Sequence, residues 1–124
     1  MMASRPGNRL PVATADFTVI GLGRPDASAS AYLAEIRRRL ESQDRVGFRM
    51  HAMGTSLEGS VDDILAVVRE MHAVPLEMGL PRTYTVLKLD ERRDRPEQTL
   101  ADKERSVEER LRAEGTTGTS ASGD

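Results

Sequence analysis

The order in which strand-like and helix-like apolar patterns follow one another constrains the fold of this chain more than any other feature. Alternating apolar and polar residues predict strands at residues 13–22, 46–53 and 82–90, with a shorter strand at 55–58. Helical spacing predicts helices at about residues 28–42 and 98–112, and a third between a cap at Ser60 and a stop at Gly79. This order predicts an α+β fold, a ferredoxin-like split βαβ sandwich (βαββαβ) with an extra C-terminal helix.

Length and composition limit the chain to one small domain. Its 124 residues suffice for one domain but not for two of ordinary size. Residues 1–12 have no apolar period, and residues 114–124 are almost wholly Gly, Ser, Thr and Ala. Both ends are therefore predicted to be disordered tails around a domain at 13–113. Two Phe, two Tyr and no Trp leave an aliphatic core, which oligomerisation would help to stabilise.

Charge and cysteine content exclude several classes of function. With 18 basic and 20 acidic residues the net charge is −2, so no large field of either sign attracts nucleic acid or an anionic membrane. The absence of cysteine excludes disulfides and Cys-ligated metals. No apolar run is long enough to span a bilayer. We expect a cytoplasmic protein with no nucleic-acid or membrane partner.

The predicted architecture leaves one face of the sheet open. Tyr84 and Val86 alternate with the buried positions of the last strand and lie on that face, beside residues of the first strand. An uncovered apolar sheet usually marks a partner surface, so the sequence predicts self-association as a dimer or tetramer. The last helix has only a thin stripe of Leu100, Val107 and Leu111, and is expected to pack at the edge of the domain or against another subunit.

The helix that Ser60 caps has one irregular position. Ser60 followed three residues later by Asp63 is an acidic variant of the capping box. Pro75 lacks an amide hydrogen and crowds the preceding turn, so the sequence predicts a kink or an early end there.

The segment at residues 53–60 carries the most suggestive side chain, because Glu58 stands between Gly54 and Gly59. Glycines let a ligand approach the main chain, although a solvated acid in a tight connection has the same pattern. The two histidines, His51 and His72, have no ligand-type spacing and are interpreted as structural or solvated. A nucleophile with a base and an orienting group is missing, which disfavours nucleophilic catalysis.

Four segments, taken in order, resemble the small cytosolic thiamine-binding protein family, long catalogued as having unknown function. They are residues 17–23, 28–33, 53–59 and 84–94, and the resemblance covers about residues 14–112. It implies a ferredoxin-like fold, pairing of subunits through their sheets, and binding of thiamine or its hydroxymethylpyrimidine part without known chemistry. The chain departs from the family at Gly21, where proline is usual, and at Pro75.

The resemblance also implies a site. Thiamine has a cationic thiazolium and a flat aminopyrimidine, so its pocket needs a carboxylate, hydroxyls and an apolar or aromatic wall. Glu58 is the predicted carboxylate, Thr55 and the backbone at Gly54 fix the ring edge, and Ser28, Ser30 and Tyr32 close the pocket. The site is expected near a subunit interface, with thiamine as a ligand rather than a cofactor, and with no metal and no enzymatic activity. The alternative is a structural or regulatory protein–protein assembly module without a small ligand.

Overall fold

The computed structural model describes residues 12–26 and 28–121, with the side chains of residues 116–121 outside that description. The strands are β1 (Ala13–Leu22), β2 (Gly47–His51), β3 (Gly54–Gly59) and β4 (Arg82–Glu91). The helices are α1 (Ala29–Glu41), α2 (Val61–Glu77) and α3 (Leu100–Ala121). These elements follow the predicted order.

The two predicted tails lie partly outside the described residues, so the domain boundaries stay predictions. Val12, the last residue of the predicted N-terminal tail, is buried and its N–H donates to the carbonyl of Pro96. At the other end, α3 continues to Ala121, past the predicted end at Arg112. The Gly, Ser and Thr residues of this stretch are weak helix formers without an apolar period, so no local pattern predicts the continuation.

The strands form one sheet in the order β2-β3-β1-β4, and every neighbouring pair is antiparallel. β1 pairs with β4 along its whole length, from Ala13 with Glu91 to Leu22 with Arg82. The β2–β3 hairpin covers only the first half of the other edge of β1, because its register ends where Phe17 meets Thr55. Together with two helices on one face, this topology confirms the predicted α+β, ferredoxin-like sandwich.

The aliphatic core lies between that face and the helices. Phe17 and Leu57 contribute from the sheet, Ile36 from α1, and Ile64 and Met71 from α2, each at most 2% exposed. The alternation of β1 explains this placement, because odd-numbered residues of a strand that buries Phe17 point to the helices and even-numbered ones point away.

Both ends of α2 follow their local sequence. The hydroxyl of Ser60 accepts from the N–H of Asp63 at 3.1 Å, which confirms the predicted cap. Pro75 lies in the last turn, and the helix ends at Glu77. Gly79 then adopts φ +95°, and the N–H groups of Gly79 and Leu80 donate back to the carbonyls of Leu76 and Pro75. The carbonyl of Pro75 accepts in this Schellman motif. The helix continues through Pro75 without the N–H bond that proline cannot donate, and it ends two residues later.

The third helix begins on the second face of the sheet, which the sequence had left wholly open. Lys103 Nζ donates to Thr14 Oγ1 at 2.9 Å and pairs with Asp90, while Arg49 pairs with Glu104 at 2.5 Å. These bonds attach the first turns of α3 over one end of that face. The rest of the helix is exposed, including Val107 at 59% and Leu111 at 62%.

An apolar stripe remains uncovered at the other end of the same face. Ile20 of β1 pairs with Tyr84 of β4, and Leu22 and Val86 lie on the same face two residues farther along their strands, toward opposite ends. Their side chains are 37%, 37%, 50% and 43% exposed. We call these four residues the open-face stripe.

Of the helices in residues 12–26 and 28–121, none is long and apolar enough to cross a membrane.

Candidate functional site

A cavity of about 250 Å³ opens where β1 extends beyond the β2–β3 hairpin. Its floor is the second half of β1, one side is the turn at Ala52 and Met53 that joins β2 to β3, and the cover is the start of α1. The cavity exists because β3 begins at Gly54 and leaves residues 19–22 of β1 without a neighbour on that edge.

The cavity wall is mainly apolar. Phe17 and Val19 come from β1, Leu33 and Ile36 from α1, and Met50 from β2. Its polar side chains are those of Thr18, Tyr32, His51 and Thr55. Thr18 is already engaged, since its hydroxyl donates to the carbonyl of Met53 at 2.8 Å. An apolar pocket with a few convergent hydroxyls is the usual form of a site for a small organic ligand.

Three of the predicted site residues meet in this cavity: Tyr32, Gly54 and Thr55. Tyr32 and Thr55 are 7% and 3% exposed, and neither hydroxyl has a hydrogen-bond partner within the described chain. Gly54 is required by close packing, because a Cβ there would lie 2.7 Å from the carbonyl oxygen of Phe17.

Ser28 and Ser30 lie beside this cavity rather than in it. Ser28 is the N-cap residue of α1, but its hydroxyl bonds to that of Ser30 at 2.7 Å and makes no capping bond. Ser28 lines a second, shallower cavity of about 160 Å³ with Arg24, Asp26 and Leu80. Tyr32 lines both cavities.

Glu58 lies on the opposite face of the sheet from Thr55 and Tyr32. It is 4% exposed, and its Oε1 accepts from the N–H of Leu100 at 3.2 Å, the first residue of α3. A carboxylate is favourable at a helix N-terminus, because the free N–H groups there carry partial positive charge. The structure therefore does not bring Glu58 together with the other predicted residues.

His51, which the sequence did not assign to a site, lines the cavity and pairs with Asp16, which itself lines a separate cavity with Ser56 and Lys103. Asp16 Oδ1 is 3.2 Å from His51 Nε2, and both side chains are well exposed, at 45% and 36%. The same oxygen would lie 3.1 Å from a Cβ at Gly54, so Asp16 is the carboxylate nearest to this glycine. No sequence signal identifies Asp16, because its position depends on how β1 is aligned with β3.

Metal chemistry has no support in the described residues. Across residues 12–26 and 28–121, no group of three or more His, Asp or Glu side chains has the arrangement to hold an ion. His72 faces another partner, since its Nδ1 is 2.7 Å from the hydroxyl of Thr85 on β4.

Comparison with known proteins identifies relatives over nearly the whole domain. A family profile described as "Thiamine-binding protein" matches residues 15–108. The UPF0045 protein YqgV of Bacillus subtilis is 35% identical over 103 residues, which are 81% of this chain and 98% of the relative. The UPF0045 protein of Methanothermobacter thermautotrophicus is 38% identical over 99 residues, 79% of this chain and 98% of the relative.

Solved structures agree with this relationship. A hypothetical protein from Methanocaldococcus jannaschii is 33% identical, with a TM-score of 0.63, and the match covers 85% of this chain and 97% of that one. A Thermotoga maritima protein described as a candidate for thiamine biosynthesis or salvage has a TM-score of 0.61, covering 75% of this chain and 95% of that one. At 20% identity the second match supports the fold alone.

Proposed function

The chain belongs to the thiamine-binding protein family, and from this premise we propose that it is a cytoplasmic, non-catalytic protein that binds thiamine or its hydroxymethylpyrimidine part. The observation that carries the proposal is the cavity of about 250 Å³ that Tyr32, Gly54 and Thr55 line. A flat heterocycle fits its apolar wall, and the unpartnered hydroxyls of Tyr32 and Thr55 supply hydrogen bonds.

The size of the cavity favours the pyrimidine as the enclosed ring. Sites for drug-sized molecules have volumes of roughly 300–1,000 Å³, and a cavity of about 250 Å³ is just below that range. One ring with its substituents therefore lies inside, and the thiazolium of thiamine projects past the mouth. There we propose that the carboxylate of Asp16, which pairs with the cavity residue His51 at 3.2 Å in the free protein, contacts the thiazolium instead.

Isothermal titration with thiamine and with hydroxymethylpyrimidine tests this assignment. Thr55→Val keeps the shape of the side chain and removes its hydroxyl, so we expect both ligands to lose about fivefold to tenfold in affinity, equivalent to about one hydrogen bond. Ser56→Ala, on the opposite face of β3, is the matched control and should leave both affinities unchanged. Equal affinity of wild type and Thr55→Val would remove Thr55 from the site.

The role of Asp16 predicts a difference between the two ligands. Asp16→Asn removes the charge but keeps the size of the side chain, so thiamine, which is cationic, should bind about twofold to fivefold more weakly, as for an exposed ion pair. Neutral hydroxymethylpyrimidine should bind as before. Asp44→Asn, in the exposed turn before β2, is the control for a general change of charge. An equal loss for both ligands would contradict an electrostatic contact with the thiazolium.

The second candidate function is an assembly module, which the open-face stripe favours. We propose self-association through that stripe in either case, so oligomeric state does not separate the two functions. Thermal stability separates the two functions, because a ligand at one hundred times its Kd adds about 2.7 kcal/mol to the free energy of unfolding. An assembly module without a ligand site would show no shift with thiamine, its phosphates or hydroxymethylpyrimidine.

A further inference from the structure

Val19 lies on the part of β1 that lines the cavity and has no neighbouring strand on that edge. β3 pairs with β1 only as far as Phe17 with Thr55, whereas β1 continues to Leu22. Val19 lies two residues past the end of that ladder and lines the cavity, yet the residue is only 5% exposed.

The direction of the Val19 peptide groups follows from Phe17. A Cβ at Gly54 would lie 2.7 Å from the carbonyl oxygen of Phe17, so this oxygen points toward β3 and not toward β4. Peptide groups two residues apart on a strand point the same way. The N–H and C=O of Val19 therefore point to the side where β3 has ended.

Within the described chain these two groups have no protein partner. The residue that a longer hairpin would place opposite Val19 is Met53, but its carbonyl accepts from Thr18 Oγ1 and its N–H is directed to His51 Nδ1. Buried main-chain donors and acceptors are nearly always satisfied, so a donor and an acceptor left side by side in a cavity are a binding feature.

We propose that the N–H and C=O of Val19 form hydrogen bonds with the amino edge of the ligand ring. The ring nitrogen next to the amino group accepts from the Val19 N–H, and the amino group donates to the Val19 C=O. This inference rests on the proposed function and deepens it, since it assigns ligand selectivity to the main chain. Hydroxyls such as that of Thr55 rotate to donate or accept, whereas the peptide groups are fixed, so only the peptide groups can reject a reversed edge.

The test compares thiamine with oxythiamine, in which a carbonyl replaces the amino group and the neighbouring ring nitrogen carries a proton. This exchange reverses donor and acceptor at nearly constant shape. We expect oxythiamine to bind at least about one hundredfold more weakly than thiamine by isothermal titration. The same ratio should persist in Thr55→Val, because the hydroxyl takes no part in it.

Nuclear magnetic resonance of the full chain locates the contact. Hydroxymethylpyrimidine and 4-aminopyrimidine should each shift the amide proton of Val19, while the amide of Ala15, which lies inside the β1–β3 ladder, stays in place. Equal binding of thiamine and oxythiamine, or an unshifted Val19 amide with both pyrimidines, would overturn the inference. A Val19 shift with 4-aminopyrimidine but no binding of thiamine or hydroxymethylpyrimidine would instead support the main-chain contact and reject the proposed function.

Discussion

At the scale of single residues, Gly21 and Pro75, which the resemblance marks as departures, are in contact. A Cβ added to Gly21 would lie 3.1 Å from Cβ of Pro75, 3.1 Å from Cε2 of Tyr32 and 2.4 Å from Cδ1 of Leu80. The space that a side chain at position 21 would need is thus filled from the end of α2. Tyr32, a wall of the cavity, is held by the same packing.

This packing predicts that Gly21→Ala destabilises the protein. Crowding in a filled core costs typically about 1–3 kcal/mol, and urea denaturation should report a loss in this range. Because the closest atom belongs to the flexible end of Leu80, Gly21→Ala with Leu80→Ala should lose less than the sum of the two single changes. Gly115→Ala, where a Cβ meets nothing within 4 Å, is the control and should not destabilise. Additive losses in the double variant would refute the contact.

Thr55 and Glu58 show which part of the site could be predicted from the sequence. Thr55, Gly54 and Tyr32 meet in one cavity, as expected from the resemblance. Glu58 is three residues after Thr55, and in a strand this odd separation places the two side chains on opposite faces. The short strand predicted at residues 55–58 already requires this separation, whereas the resemblance placed both side chains in one pocket. Val19 and Asp16 depend on the length and alignment of β3, which no local pattern specifies.

A ligand role for Glu58 stays a prediction, and Glu58→Gln tests it. The amide oxygen of glutamine can still accept from the N–H of Leu100, while the negative charge is lost. If Glu58 only caps α3, thiamine should bind within about twofold of wild type, and the free energy of unfolding should fall by about 1 kcal/mol or less. A large loss of thiamine affinity without loss of stability would instead place Glu58 at the ligand in the assembled protein.

At the scale of elements, α3 depends on local hydrogen bonds more than on apolar packing. Thr99 and Asp102 form a reciprocal cap, in which each side chain accepts from the other residue's N–H, at 3.1 and 3.2 Å. The N–H of Thr99, together with the Thr99 hydroxyl and Arg105, holds the pKa of the Asp102 carboxyl below its ordinary value of 3.8. The ionised carboxylate therefore stabilises the folded helix.

The lowered pKa gives a pH dependence with a definite sign. The folded protein binds the proton of Asp102 less readily than the unfolded chain, so the stabilisation is complete above pH 3.8 and is lost as the pH falls through the folded-state value. Asp102→Asn should be less stable than wild type at pH 7, and the difference should shrink below pH 3.8 in urea denaturation monitored by circular dichroism. Asp44→Asn serves as the control. A difference that is constant with pH would rule out the carboxylate as the cause.

Strand and helix order was predictable because each element has a clear apolar period. The strands β1 and β4 match their predicted extents within one residue at either end, since alternation is strict around Phe17 and Leu87. The placement of α3 was not predictable. It is attached to the sheet by the ion pairs of Lys103 and Arg49 and by the hydrogen bond that Glu58 accepts from the Leu100 N–H. Contacts of this kind between residues distant in sequence leave no periodic signal.

At the scale of the whole molecule, the two ends of the second sheet face differ in what covers them. The first turns of α3 lie over the end that contains Thr14 and Asp90, whereas the open-face stripe lies at the other end. Four neighbouring apolar side chains on a rigid sheet favour a partner surface. The cavity opens close to this stripe, because Ile20 belongs to both.

We predict that the chain self-associates through the open-face stripe. Val86 is 43% exposed and points away from the core, so Val86→Lys should leave the fold intact while placing a charge in the stripe. Light scattering after size exclusion should give wild type a mass at least twice the 13.6 kDa of one chain, and Val86→Lys the mass of a monomer. Leu65→Lys, at a 45% exposed position on the outer side of α2, is the matched control and should keep the wild-type mass. A wild-type monomer at micromolar concentration would refute the stripe as an interface. Equal dissociation of Val86→Lys and Leu65→Lys would show that added charge alone, rather than its position on the sheet, disrupts the assembly.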